Sequence, residues 1–130
     1  MQEPHWVSKE AALSMHNRQL SEHGGQDGVR DEGLLESALG RPQNLFAYND
    51  EPVTIPKMAA AYAYGIATNH PFLDGNKRTA LAVSQTFLML NDYKFTGDFG
   101  EEYQIFLDLA AGKIDEAALA QWFEENSEKI

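Results

Sequence analysis

The sequence predicts an all-α protein, and three observations support this fold class. Apolar side chains recur every three or four residues through most of the 130 residues, which is the spacing of an amphipathic helix. Serine, threonine or aspartate stands where these runs begin, and glycine stands where several of them end, as in helix caps. Alternation typical of a β-strand is confined to 93–95. Because the length suits one domain, we expect a single compact helical domain over residues 1–130.

Capping residues delimit the first two predicted helices. Ser8 begins a helix that runs to about His23 and stops at a Gly-Gly pair. Asp31 begins a second, short helix, which we expect to end before Gly40 and Pro42. Both segments are amphipathic, so each is predicted to cover one side of a core.

The middle of the chain predicts two buried helices. Segment 43–53 mixes polar and apolar residues without a helical period and is interpreted as a loop or small hairpin. Thr54 begins a third helix, and its portion 58–69 is apolar almost all round. After a break at 70–75, the segment 76–90 again has the composition of a buried helix. Two central helices are therefore expected to flank one short loop.

The last third of the chain predicts two further helices. A turn near Thr96 precedes amphipathic segments over 101–111 and 115–126, which Gly112 separates. No internal repeat, linker or low-complexity segment interrupts the pattern.

Composition and charge exclude several classes of protein. The chain has no cysteine, which rules out disulfides, cysteine-ligated metals and thiol nucleophiles. Its net charge of −10 opposes direct nucleic-acid binding. The longest apolar stretch, 58–67, is about half of the roughly 20 residues that a membrane-spanning helix needs. The N-terminus does not resemble a secretory signal, so we expect a cytoplasmic protein without a membrane partner.

Most of the candidate chemistry lies in the loop between the two buried helices. Pro71 disfavours helix at His70, and Gly75 permits backbone conformations that other residues avoid. The helix that follows begins with N–H groups that have no intrahelical partner and form an anion site. Lys77 and Arg78 add positive charge there, so a phosphate group is the expected ligand.

Three further side chains of this loop extend the prediction from binding to catalysis. Asp74 offers a hard oxygen ligand suited to Mg²⁺ that is shared with nucleotide phosphates. His70 can accept the proton of an attacking hydroxyl group, and Asn76 can both donate and accept hydrogen bonds. A core histidine, a helix cap and a solvated cation pair would explain each residue singly. Their coincidence at one helix N-terminus favours the functional interpretation.

The nine residues at 70–78, His-Pro-Phe-Leu-Asp-Gly-Asn-Lys-Arg, resemble the signature of the Fic/Doc family. That signature is H-x-F-x-[D/E]-[A/G]-N-K-R in its Doc (death-on-curing) branch. Segment 28–39, with the Arg-Pro pair at 41–42, is also similar to the N-terminal half of bacterial Doc-like proteins. The resemblance therefore covers nearly the whole chain and identifies it as a candidate member of this family.

The resemblance implies a compact helical fold that uses Mg²⁺ and ATP or another nucleoside triphosphate as co-substrate. It also implies a flap beside the active-site loop that positions the target, for which 43–53 is the candidate by location. Within the signature the implied roles are general base for His70, metal ligand for Asp74, and phosphate contacts for Gly75, Asn76, Lys77 and Arg78.

Two positions bear on which group is transferred. Nucleotide-transferring Fic proteins commonly have Gly at the position of Lys77 and a second Arg at the position of Leu81. Both departures disfavour AMP transfer and resemble Doc, which transfers the γ-phosphoryl group to a threonine of elongation factor Tu and arrests translation. Pro71 and Gly75 are shared with the nucleotide-transferring branch. AMP transfer and a non-catalytic nucleotide- or protein-binding module therefore remain alternatives.

The resemblance also implies a mode of regulation. The inhibitory [S/T]-x-x-x-E-[G/N] helix of self-restrained Fic proteins is absent from the sequence. A toxin–antitoxin pair is therefore expected, in which a segment of a separate antitoxin folds as a helix into a groove of the toxin.

Four other basic residues are not assigned to the site. His16 and His23 are expected to have structural roles. Arg30 and Arg41 either face the nucleotide or the target, or form surface salt bridges, and the sequence does not decide between these roles.

Overall fold

Six helices and two short strands make up the part of the chain that the structure, a computed structural model, describes: residues 3–49 and 51–130. In chain order the elements are α1 Lys9–His23, α2 Glu32–Tyr48, α3 Ile55–Asn69, α4 Asn76–Leu90, β1 Tyr93–Phe95, α5 Phe99–Ala110, α6 Glu116–Glu125 and β2 Ser127–Lys129. The predicted all-α class is confirmed. None of the described helices is both long and apolar enough to cross a membrane.

Helix α3 forms the centre of the core, as its apolar composition predicts. It packs against α2, α4, α5 and α6, and most of its side chains are fully buried. Gly65 allows α2 to approach closely, because a Cβ atom at this position would lie 3.0 Å from the Cα of Ala38. Buried Tyr62 accepts a hydrogen bond of 3.0 Å from the backbone N–H of Val7, which fixes the entry to α1.

The prediction that the second helix ends before Gly40 is wrong, because α2 continues through Pro42 to Tyr48. A proline inside a helix removes one backbone hydrogen bond. Tertiary packing outweighs this cost: Pro42 is buried, and Phe46 lies edge-on to Trp6 with ring centroids 5.9 Å apart. Residues 43–48 are therefore helical and not a loop or hairpin.

This correction also removes 43–53 as the candidate flap beside the active-site loop. The α2–α3 connection begins at Asn49, and Asp50 lies outside the described residues. It joins the start of α3, whereas His70 follows the other end of this 15-residue helix, about 22 Å away along the helix axis. Segment 24–31 lies beside the loop instead, where Val29 forms an antiparallel bridge with Phe72.

Two short strands, separated in sequence by α5 and α6, form a small antiparallel sheet, and the sequence did not predict the second of them. β1 pairs with β2 in antiparallel register, with Lys94 opposite Glu128. The polar sequence of β2, Ser-Glu-Lys, carries no strand signal of its own, so the pairing depends on where α6 ends.

Candidate functional site

The 70–75 loop connects the two central helices through a left-handed residue at each end. His70 follows the last residue of α3 with φ 49° and ψ 55°, and Gly75 precedes α4 with φ 78° and ψ 18°. Gly75 adopts this region without strain, whereas a residue with a Cβ atom is strained there. The predicted break between the two buried helices is confirmed, and it places His70 and the N-terminus of α4 on the same loop.

The N-terminus of α4 is open, as a phosphate site requires. The other five helices each have a side chain that accepts a hydrogen bond from a first-turn N–H, namely Ser8, Asp31, Thr54, Asp98 and Asp115. Within the described chain, α4 alone has no such cap, because its N-cap residue is Gly75. Exposed Lys77 and Arg78 lie in this first turn. The dipole and both cations therefore favour an anion at this point.

A cleft of about 360 Å³ brings the predicted site residues together. Its lining consists of His70, Leu73, Asp74, Gly75, Asn76, Lys77, Arg78 and Tyr103. All six residues predicted from the sequence are among them. A larger depression of about 460 Å³ lies along the second half of α2, where the described lining residues include Arg41 but no carboxylate or imidazole group.

Asp74 is exposed, and its carboxylate is oriented by two backbone N–H groups. Oδ1 accepts a 2.8 Å hydrogen bond from Gly75, and Oδ2 accepts a 3.3 Å hydrogen bond from Gln26. Neither bond caps α4, so the alternative role of Asp74 as a helix cap is not observed. No cluster of three His, Asp or Glu residues suited to a metal occurs in residues 3–49 and 51–130. A single carboxylate fits Mg²⁺, which takes most of its ligands from water and phosphate oxygens.

Asn76 lines the cleft, but its side chain is also bonded to the loop itself. Oδ1 accepts a 2.9 Å hydrogen bond from the N–H of Phe72, and Nδ2 donates a 2.9 Å hydrogen bond to the carbonyl of Phe72. These bonds use one N–H and one oxygen lone pair of the amide. Asn76 therefore ties Phe72, within the loop, to the start of α4.

His16 has a structural role, as predicted, and it contacts the 70–75 loop. Its side chain is buried, and its ring stacks on Phe72 with centroids 3.8 Å apart and planes 8° apart. Nε2 lies 2.8 Å from the carbonyl oxygen of Asp74. Because a carbonyl only accepts, Nε2 carries the proton and donates it. His23, in contrast, lies exposed at the end of α1 beside Glu22.

Arg30 and Arg41 both lie outside the lining of the cleft. The guanidinium group of Arg30 donates to backbone carbonyls at the end of α3, at 2.7 Å to His70 and 2.9 Å to Asn69. Arg41 forms an ion pair with Glu116, and its guanidinium carbon lies 5.0 Å from the ring centroid of Tyr64. Arg41 thus joins α2 to α6 and α3, whereas Arg30 contacts the 70–75 loop.

Sequence reasoning missed the contacts that come to the loop from distant parts of the chain. Tyr103 of α5 is half-exposed at the edge of the cleft, and the sequence gives no signal that α5 packs there. Segment 24–31 was also missed, although its four residues at 24, 25, 27 and 28 (Gly, Gly, Asp and Gly) indicated an irregular segment. Only the fold shows that Gly28 accepts a 3.0 Å hydrogen bond from Leu73.

Comparison with known proteins finds one family and two relatives that match much of the chain. The model of the Fic/DOC family matches residues 6–88. A protein named Toxin Doc, from Mycolicibacterium smegmatis (strain ATCC 700084 / mc(2)155), is 43% identical over 76 residues, which make up 58% of each chain. The match thus spans less than two thirds of that relative. A protein named Protein kinase doc, from Escherichia phage P1, is 32% identical over 114 residues, 88% of this chain and 89% of its own.

Proposed function

Because the chain belongs to the Fic/DOC family and to its Doc branch, we propose that it transfers the γ-phosphoryl group of a nucleoside triphosphate to a protein hydroxyl group. The observation that supports this proposal is that one cleft contains His70, Asp74 and the uncapped N-terminus of α4 with Lys77 and Arg78. Phosphoryl transfer is catalysed mainly by positioning and by charge stabilisation. The cleft supplies both.

The imidazole of His70 acts as the general base. It accepts the proton of the target hydroxyl group as the oxygen attacks the γ-phosphorus. The bond between the γ-phosphorus and the β–γ bridging oxygen breaks, and the nucleoside diphosphate leaves with that oxygen. His70 is exposed at the cleft, so a hydroxyl group on a protein surface can reach it.

The residues after His70 bind the triphosphate. The free N–H groups in the first turn of α4 donate to phosphate oxygens, and Lys77 and Arg78 neutralise their charge. Asp74 would hold Mg²⁺, which would supply positive charge that stabilises the phosphate oxygens during transfer. Asn76 donates a hydrogen bond to phosphate through the second N–H of its side-chain amide, which its bonds to Phe72 do not use.

Two observations support phosphoryl transfer over AMP transfer. One relative carries the word kinase in its name. Leu81, where nucleotide-transferring proteins have a second Arg, lines a small apolar pocket with Phe106 and Tyr103. An apolar side chain cannot bind the γ-phosphate as a guanidinium group does.

Segment 24–31 takes over the proposed role of the flap. It lies beside the loop through the Val29–Phe72 bridge and contacts Asp74 through Gln26. A target segment that lies along it would place its hydroxyl group near His70.

We further propose that the protein is a single-domain, cytoplasmic toxin that arrests translation by modifying a threonine of elongation factor Tu. Its regulator is an antitoxin that inserts a helix into a groove of the toxin. The small apolar pocket that Leu81 and Tyr103 form beside Lys77 and Arg78 supports this mode, because it offers an apolar contact next to the active site.

The test uses ATP labelled on the α- or the γ-phosphate, with Mg²⁺ and purified elongation factor Tu. We expect label from the γ-position alone on a threonine located by mass spectrometry. Label from the α-position alone would show that the protein is an AMP transferase and not a kinase. Binding of ATP without transfer to any protein of a cell extract would leave a non-catalytic module.

His70→Ala is expected to abolish transfer while nucleotide binding remains. His23→Ala is the matched control, because His23 is exposed on α1 away from the cleft. Transfer by H70A at the wild-type rate would exclude His70 as the base. Induction of the wild-type chain in bacteria should stop growth and H70A should not, and equal growth of both strains would contradict the toxin role.

A further inference from the structure

The backbone of His70 has a conformation that its own sequence context opposes. At φ 49° and ψ 55° it lies in the left-handed region, which strains a residue with a Cβ atom. The next residue is Pro71, and a residue before proline prefers an extended conformation. Strained residues of this kind persist only where neighbouring groups hold them.

Carbonyl groups on both sides of His70 are held by one residue of the 24–31 segment. The Nε atom of Arg30 lies 2.7 Å from the carbonyl oxygen of His70, and its Nη2 atom lies 2.9 Å from that of Asn69. The backbone N–H of Arg30 donates a 2.7 Å hydrogen bond to the carbonyl of Pro71. Three consecutive carbonyls are thus bound by a single residue, two of them by its side chain.

We propose that Arg30 is a positioning residue, whose guanidinium group keeps His70 left-handed and thereby aims the imidazole group into the cleft. The backbone conformation at His70 sets the direction of its Cα–Cβ bond. Relaxation to an extended conformation would swing the imidazole group away from the phosphate site. Arg30 does not line the cleft and acts only through the backbone. The catalytic part of this inference rests on the proposed function.

The kinetic test compares Arg30→Gln and Arg30→Lys with the control Arg18→Gln. Arg18 is an exposed arginine of α1 that pairs with Glu22. We expect R30Q to lower kcat roughly tenfold or more with the KM for ATP nearly unchanged, because ground-state nucleotide contacts are intact. R30K keeps the charge but not the planar fork, so it should resemble R30Q. A raised KM with normal kcat would show a nucleotide contact and overturn the proposal.

A second measurement does not depend on activity. The three-bond coupling between the amide and α protons of His70 and its Cα chemical shift distinguish left-handed from extended backbone. Both should change in R30Q and R30K and stay at wild-type values in R18Q. Unchanged values in the Arg30 variants would overturn the proposal at any level of activity. If these two values change in the Arg30 variants but the wild-type protein transfers no phosphate, the role of Arg30 in holding His70 is confirmed and the proposed function is wrong.

Discussion

Asn76 has a side chain that bonds in both directions to one backbone unit, the N–H and carbonyl of Phe72. Asn76→Asp keeps the shape of the side chain but replaces the donor by an acceptor, which then faces the carbonyl of Phe72. We expect a loss of about 1–3 kcal/mol of unfolding free energy, together with loss of transfer. The melting temperature in thermal unfolding should show the loss of stability.

Asn44→Asp is the matched control for this change, because Asn44 is exposed on α2 and makes no side-chain hydrogen bond among the described residues. It adds the same negative charge without breaking a pair. Equal melting temperatures for N76D and N44D would contradict the structural role of the Asn76 amide.

Glu102 is a buried carboxylic acid on α5, the helix that also contributes Tyr103 to the cleft. It is fully buried, its Oε2 accepts a hydrogen bond from Gln85, and its Oε1 has no partner within the described residues. Burial raises the pKa of Glu102 to about 7, although the bond from Gln85 lowers it in part. In the unfolded chain, Glu102 loses its proton as the pH rises past its ordinary pKa of 4.5. In the folded protein, it keeps the proton up to a pH of about 7.

This raised pKa predicts a pH dependence of stability. Below pH 4.5 the group is protonated in both states, and between 4.5 and about 7 stability falls as pH rises. Glu102→Gln should remove this decline and make the protein more stable than wild type at pH 8, by on the order of 2–3 kcal/mol. Denaturant unfolding from pH 5 to 8 measures it. Glu125→Gln, at an exposed position of α6, should retain the wild-type slope, and a parallel slope for E102Q would rule out Glu102 as the cause.

At the scale of elements, segment 24–31 orients the side chain of Asp74, which is proposed to bind Mg²⁺. Gly25 has φ +125°, and a Cβ atom there would lie 2.9 Å from Oδ2 of Asp74. Gly25→Ala should displace this carboxylate and raise the half-saturating Mg²⁺ concentration for transfer, by about tenfold. A titration of activity against Mg²⁺ measures the shift.

Gly24→Ala separates this effect from backbone strain. Gly24 also has a positive φ, +78°, but a Cβ atom there meets nothing within 4 Å. Both variants should lose stability, since positive φ strains alanine, but only G25A should need more Mg²⁺. An equal Mg²⁺ requirement for both would show that strain alone is responsible.

The boundaries of elements show how far the sequence could predict the fold. The N-caps Ser8, Asp31 and Thr54 were predicted correctly, because capping is a bond within three residues along the chain. The end of α2 was missed, because Pro42 weakens the helix locally while the packing of Phe46 on Trp6 stabilises it from afar. Local sequence contains the first kind of information and not the second.

The same distinction explains what was predicted of the site. The six cleft residues that were predicted lie within nine consecutive positions, so a short motif was enough to bring them together. The groups that hold the loop are far away in sequence, with His16 58 positions before Asp74 and Arg30 40 positions before His70. Their contacts arise from the packing of α1 on α4 and from the path of the 24–31 segment.

At the scale of the whole molecule, the net charge of −10 contrasts with the two adjacent cations, Lys77 and Arg78, in the cleft. The described ion pairs are few and mostly exposed, as in the pairs of Lys9 with Glu32 and Glu36, so repulsion between carboxylates should dominate the long-range electrostatics. Salt shortens the Debye length from about 30 Å at 0.01 M to about 3 Å at 1 M. The melting temperature should therefore rise with NaCl.

A charge series at two positions tests whether net charge causes that rise. Gln43 and Gln121 are exposed on α2 and α6 and make no side-chain hydrogen bond within the described residues. Gln→Lys at both changes the net charge from −10 to −8, and Gln→Glu at both changes it to −12. The gain in melting temperature between low and high salt should be largest at −12 and smallest at −8, because screening relieves repulsion in proportion to the excess charge. Equal gains would assign the rise to the general effect of salt on apolar burial, which all three chains share.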